Sequence, residues 1–91
     1  MKTNIITVKF EDYFYPRTFN GKNYYYLTNE SLSIGDIVEV PTTNGIKIAR
    51  VSRINIPEDE IQNMKEIIKF TIRKLDTYRY LNYNEAVSSL N

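Results

Sequence analysis

Apolar and polar side chains alternate over residues 5–10. Ile6, Val8 and Phe10 share one face, and Thr7 and Lys9 the other, which is the period of a half-buried strand. The aromatic stretch 11–17 contains Pro16 and reads as a loop or edge segment. Asn20-Gly21 marks a turn, because both residues tolerate positive φ. Tyr24-Tyr25-Tyr26-Leu27 then supplies a second strand of high β-propensity. Gly35-Asp36 bends the chain into a third strand at 37–40, and Pro41-Thr42-Thr43-Asn44-Gly45 is the next turn. A fourth strand covers 46–56. Its apolar positions change phase, from Ile46 and Ile48 to Ala49 and Val51 and then to Ile54 and Ile56, which predicts a bulge or strong coiling. The expected core is Ile6, Val8, Ile34, Val38, Val40, Ile48, Val51 and Ile54.

Beyond Pro57 the pattern becomes helical. Glu58, Asp59 and Glu60 favour the positive end of a helix dipole, and Pro57 fits the first helical position. Ile61, Met64, Ile68, Ile72 and Leu75 recur at helical spacing and form one apolar stripe, widened by Ile67 and Phe70. Lys69, Arg73 and Lys74 suit the helix C-terminus. The spacing therefore predicts a long amphipathic helix over 58–75, burying its stripe against the sheet. The tail, 76–91, leaves room for a short second helix near 85–90, capped by Asn82 or Asn84.

A chain of 91 residues holds a single domain, 1–91, divided here into strands (1–56), helix (58–75) and tail. With 42% apolar and 25% charged residues the composition is that of a globular protein. Cysteine and histidine are both absent. Disulfides, thiolate metal sites and the commonest general base go with them. No cofactor or metal is expected. The first residues show no signal-peptide run and no stretch is apolar enough to span a bilayer, so the expected location is the cytoplasm of a bacterium or of an infected host cell. A net charge of +1 is low for a nucleic-acid binder.

Tyr24-Tyr25-Tyr26-Leu27, then Leu32-Ser33-Ile34-Gly35-Asp36-Ile37-Val38-Glu39-Val40-Pro41, then Gly45-Ile46-Lys47-Ile48-Ala49-Arg50-Val51 resemble SH3-like barrel modules in which a glycine–aspartate turn starts a valine-rich strand. The amino-terminal DNA-binding domain of the primosomal helicase looks similar, as do small uncharacterised proteins of Gram-positive bacteria, their phages and mobile elements. The resemblance covers residues 6–75 and transfers no catalytic residue; the helicase would imply binding to DNA ends. The fold class expected is α+β: a small SH3-like half-open β-barrel of four or five strands, followed by the long helix and a short C-terminal segment. The alternative is a four-stranded antiparallel sheet with the helix laid across it.

Catalysis would have to rest on carboxylates, lysine or tyrosine alone. The cluster Glu58-Asp59-Glu60 is accounted for by a helix start, and Glu11-Asp12 by a solvated loop edge. What stands out is aromatic clustering: Tyr13, Phe14, Tyr15, Phe19, Tyr24, Tyr25 and Tyr26 lie between positions 13 and 26. Such residues fill a small core or form a recognition surface. Lys47, Arg50 and Arg53 gather on the fourth strand, and Lys65, Lys69 and Arg73 line one edge of the expected helix. Tyr78, Tyr80 and Tyr83 follow, either as part of a single-stranded nucleic-acid path or to dock the tail on its own barrel. The expected binding residues are Tyr13, Tyr15, Tyr24, Tyr25, Lys47, Arg50, Arg53, Lys69 and Arg73.

The reading is a non-catalytic binding module acting through protein–protein contact. An accessory protein of a phage or mobile element suits it, as an inhibitor of a host nuclease or defence system such as an anti-CRISPR. Nucleic-acid binding is the alternative, and an enzyme the least favoured class. The sequence gives no oligomeric state.

Overall fold

The computed structural model describes residues 3–82. Five antiparallel strands form one curled sheet: β1 (Asn4–Phe10), β2 (Tyr24–Thr28), β3 (Ile37–Thr42), β4 (Gly45–Arg53) and β5 (Arg73–Lys74), in the spatial order β2-β1-β4-β3-β5. A 3-10 helix spans Glu58–Met64, and one short α-helix, α1, spans Thr77–Leu81. The expected α+β arrangement with a long helix over 58–75 is therefore wrong. The described residues form an antiparallel half-barrel with only a short α-helix.

Local chemistry accounts for the strands. β3 and β4 form a hairpin whose last pair is Thr42 with Gly45, leaving Thr43 and Asn44 as its loop. Gly45 sits at φ +105, a conformation that a Cβ would strain. Pro41 is tolerated inside β3 because β5 pairs only with Val38 and Glu39, so the missing N–H faces no neighbouring strand. The phase change in the fourth strand is a register shift: Thr7 pairs with Arg53 and Val8 with Val51, so Ser52 is the extra residue. The strand ends sooner than its apolar pattern implies, at Arg53, because Asn55 turns the chain at φ 55. Asn4 locks that turn: its side-chain amide donates to Asn55 Oδ1 at 3.0 Å, and its Oδ1 accepts from the Asn55 backbone N–H at 3.1 Å.

Two apolar clusters result. Ile6, Val8, Tyr26, Leu32, Val38, Val40, Ala49 and Val51 fill one, with Phe10 and Ile54 packed at its margin. Ile5, Ile56 and Ile61 form the other, with Tyr25, Leu27, Met64 and Ile68 against them. Of the expected core, Ile48 and Ile54 are only half-buried, and Ile34 stands 65% exposed beside the Gly35 turn.

The expected helix fails for a reason visible in its hydrogen bonds. After Met64 a turn over 65–67, closed by the Ile67 and Ile68 N–H groups donating to the Met64 carbonyl, leads into an extended stretch. Leu27 donates to the Lys69 carbonyl at 2.9 Å and accepts from Thr71 at 2.8 Å, so this stretch pairs with the outer edge of β2. Ile72 then donates to Glu39 and Leu75 to Ile37, each at 2.8 Å, on the outer edge of β3. One segment thus covers both free edges of the curled sheet. A helix would satisfy its own backbone and leave both edges open. Ile67, Ile68, Phe70, Thr71 and Ile72 are β-branched or aromatic and favour the extended form. Of the apolar stripe, Ile61 is buried and Met64, Ile68 and Leu75 are half-buried, but Ile72 is exposed. The short helix expected near 85–90 lies outside the described residues. No helix among them is long and apolar enough to cross a membrane.

Candidate functional site

The loop between β1 and β2 carries the two most exposed aromatics of the described residues, with a third beside them. Tyr13 is 90% exposed, Phe14 79% and Tyr15 67%. Their backbone is nonetheless tied down. The Asp12 carboxylate accepts from the N–H groups of Phe14 at 2.8 Å and Tyr15 at 3.1 Å, and its other oxygen accepts from the Asn20 amide at 3.1 Å. These bonds, the Asn20 one foremost, hold its carboxyl below the usual aspartate range. Thr18 donates back to Tyr15 at 3.1 Å and Asp12 to Thr18 at 2.7 Å, closing the loop on itself.

At the base of the loop, Glu11 bonds two ways. One carboxylate oxygen accepts from the Arg17 N–H at 2.7 Å and the other from the Tyr80 hydroxyl at 2.5 Å. Arg17 also donates from Nε to the Tyr80 carbonyl at 3.3 Å, and the Tyr80 ring lies 6.5 Å from that of Phe19. Burial, together with the bond to Glu11, pushes the Tyr80 hydroxyl up to about 12. Helix α1 is thus clamped to the loop, and the three aromatic rings project from a fixed finger.

A groove of about 720 Å³ opens beside it. Phe10 and Tyr24 lie in it with ring centroids 4.7 Å apart. Strand alternation puts Phe10, Tyr24, Tyr26 and Lys47 on the same face as Val8, Val40 and Ala49, so the groove continues the first apolar cluster out to solvent. The Tyr26 hydroxyl donates to the Pro41 carbonyl at 2.8 Å; burial raises its pKa. Met64, Ile67 and Ile68 form an aliphatic wall, and Lys69 stands at its end. A smaller hollow of about 300 Å³ is lined by Glu11, Asp12, Tyr13, Pro16, Lys47 and Ile48. Lys47 lines both, so the hollow at the finger and the groove meet at this residue.

The expected binding residues divide accordingly. Tyr24, Tyr25, Lys47 and Lys69 meet in the groove, and Tyr13 and Tyr15 are on the finger. Arg50, Arg53 and Arg73 are held elsewhere. Arg50 Nε donates to the Gly35 carbonyl at 2.9 Å. Arg53 grips the Glu60 carboxylate with two nitrogens at 2.7 and 3.1 Å, and the Tyr25 hydroxyl donates to the same carboxylate. These partners, Arg53 first, lower the Glu60 pKa, and the bond to Glu60 raises that of Tyr25. Arg73 pairs with Glu39 across β5 and β3. Lys65 pairs with Glu58, Lys69 lies in the stretch against β2 and Arg73 in β5, so with no helix there the basic helix edge expected from these three does not exist.

Sequence reasoning missed Phe14 as a site residue and gave Asp12 to a solvated edge. The signal was present: an aspartate in a turn bonds the backbone N–H two residues on. It also missed Asn23, Asn44 and Ile67, which reach the groove only through the fold. Among the described residues no group of three His, Cys, Asp or Glu side chains is placed to hold a metal ion. Comparison with protein families, curated proteins and solved structures found no match for the chain.

Proposed function

We propose that this chain is a non-catalytic protein-binding module whose primary contact is the finger Tyr13-Phe14-Tyr15. The observation that supports it is the combination of three exposed aromatic rings with a backbone already fixed by Asp12 and Glu11. Aromatic side chains give large contact area for little lost rotamer freedom, and a loop held in place before binding saves the entropy of ordering it. A small rigid module with one such face suits an inhibitor or adaptor that covers part of its partner's surface.

The test is capture from a lysate of the source cell, with and without nuclease, using the natural chain and a Tyr13→Ala/Phe14→Ala/Tyr15→Ala variant. The expected result is a nuclease-resistant protein captured by the natural chain and lost from the variant. Equal capture by both, or a partner released by nuclease, overturns the reading.

A further inference from the structure

We propose that the groove receives an extended acidic segment of the partner protein, its carboxylates meeting Lys47 and Lys69 and its apolar side chains lying over Tyr24, Ile67 and Ile68. This rests on the reading of the finger as a protein contact and specifies what lies next to it.

Charge complementarity is the first argument. The groove is lined by two lysines and by no carboxylate. The ion pairs of the described residues use Arg53, Lys65, Arg73 and Lys74. Lys47 and Lys69 take part in none of them. The two come from different segments, Lys47 from β4 and Lys69 from the stretch that pairs with β2. An occupant bearing negative charges is met from both segments, and like charge is repelled.

The apolar part of the lining separates a peptide from a nucleic acid. A single strand of nucleic acid needs open aromatic faces for its bases and a track of cations for its phosphates. Here Tyr24 already packs against Phe10, Tyr26 is buried, and the Tyr25 hydroxyl is tied to the anionic Glu60. Of the apolar lining the most open side chain is aliphatic: Ile67 is 76% exposed, against 43% for Tyr24. Aliphatic surface lined also by two lysines from different segments matches a chain that alternates acidic and apolar side chains, as an extended peptide does. Continuity is the last argument. Lys47 lines both the groove and the hollow beneath Tyr13, so a partner gripping the finger lies next to the groove.

Three fluorescein-labelled probes of equal length test the proposal by anisotropy: a peptide alternating glutamate and leucine, its lysine–leucine counterpart, and oligothymidylate. The glutamate–leucine peptide is expected to bind the full chain and the lysine–leucine peptide not to. Lys47→Glu/Lys69→Glu should weaken the acidic peptide by about tenfold or more. Lys47→Gln/Lys69→Gln should weaken it less, with an unchanged melting curve that separates charge from folding. The finger variant should hold the acidic peptide within about twofold of the natural chain, because the peptide lacks the finger's partner surface. Failure of partner capture in that variant therefore concerns the finger, and failure of peptide binding in the lysine variants concerns the groove. Equal affinity for both peptides, tighter binding of oligothymidylate, or lysine variants that bind as well as the natural chain overturns the proposal.

Discussion

The interior of the curled sheet and the finger loop are both rich in large apolar side chains, yet one is dry and the other wet. Ile6, Val8, Val38 and Val40 are fully buried, whereas Tyr13, Phe14 and Tyr15 are among the most exposed large apolar residues described. Their backbones differ in how they are satisfied. The sheet residues pair strand to strand, and their side chains alternate into a shared interior. The loop residues are bonded by two acidic side chains close by, Asp12 and Glu11, in a tight turn that leaves the three rings exposed. Exposure of an apolar ring is thus built by polar side chains beneath it. Apolar content alone says little about where a residue ends up; the partners of its backbone say more.

The largest effect should come from the dry side. Ile6→Ala is expected to cost about 2–5 kcal/mol, read by chemical denaturation, a large share of the stability of a domain this size. A loss below about 1 kcal/mol would mean the interior is looser than its burial indicates.

Next comes the closure of the sheet. Thr71→Pro removes the N–H that reaches Leu27 and should cost about 1–3 kcal/mol. It should also speed hydrogen exchange at Leu27, whose N–H is held by the Lys69 carbonyl of the same segment. Unchanged exchange there would show that the edge of β2 does not depend on this segment.

The finger should behave in the opposite way. Truncating Tyr13, Phe14 and Tyr15 to alanine should move stability by no more than about 0.5 kcal/mol while abolishing partner capture. A clear fall in melting temperature would place these rings in the fold and not on its contact face.

A smaller effect is expected at the clamp. Tyr80→Phe removes the bond to Glu11 and should cost about 1 kcal/mol, accompanied by faster backbone motion over the finger in NMR relaxation. The same residue contributes to stability at alkaline pH, beside Tyr25 and Tyr26, whose hydroxyl pKa values are also raised. The folded pKa of Tyr80, about 12, lies above the ordinary 10.0, so the folded state holds this proton more tightly. That contribution is complete below about pH 10 and is lost as pH rises towards 12. Melting temperature should therefore fall across this window, and less steeply in Tyr80→Phe. Equal slopes would show that Tyr80 does not titrate with folding.

How much of this was legible differs from element to element. Alternation over Ile6, Val8 and Phe10, the glycine turns at Gly35 and Gly45, and the phase change around Ser52 all report local geometry, and the strands lie there. The face combining Tyr24, Lys47 and Lys69 was legible only as separate residues, because nothing in the sequence says that β4 and the stretch before β5 border one groove.

The sequence by itself determined which segments before Pro57 extend and where they turn, since side-chain period and positive-φ residues act within a few positions of the chain. It also determined that aromatics crowd between positions 13 and 26. Only the tertiary structure decided the fate of 65–75. Ile61, Met64, Ile68, Ile72 and Leu75 carry a helical period, but their β-branched neighbours permit extension, and the local signals oppose each other. The choice falls to the open edges of β2 and β3, which are formed by residues roughly 30 to 45 positions earlier and offer hydrogen bonds that a solvent-facing helix cannot supply.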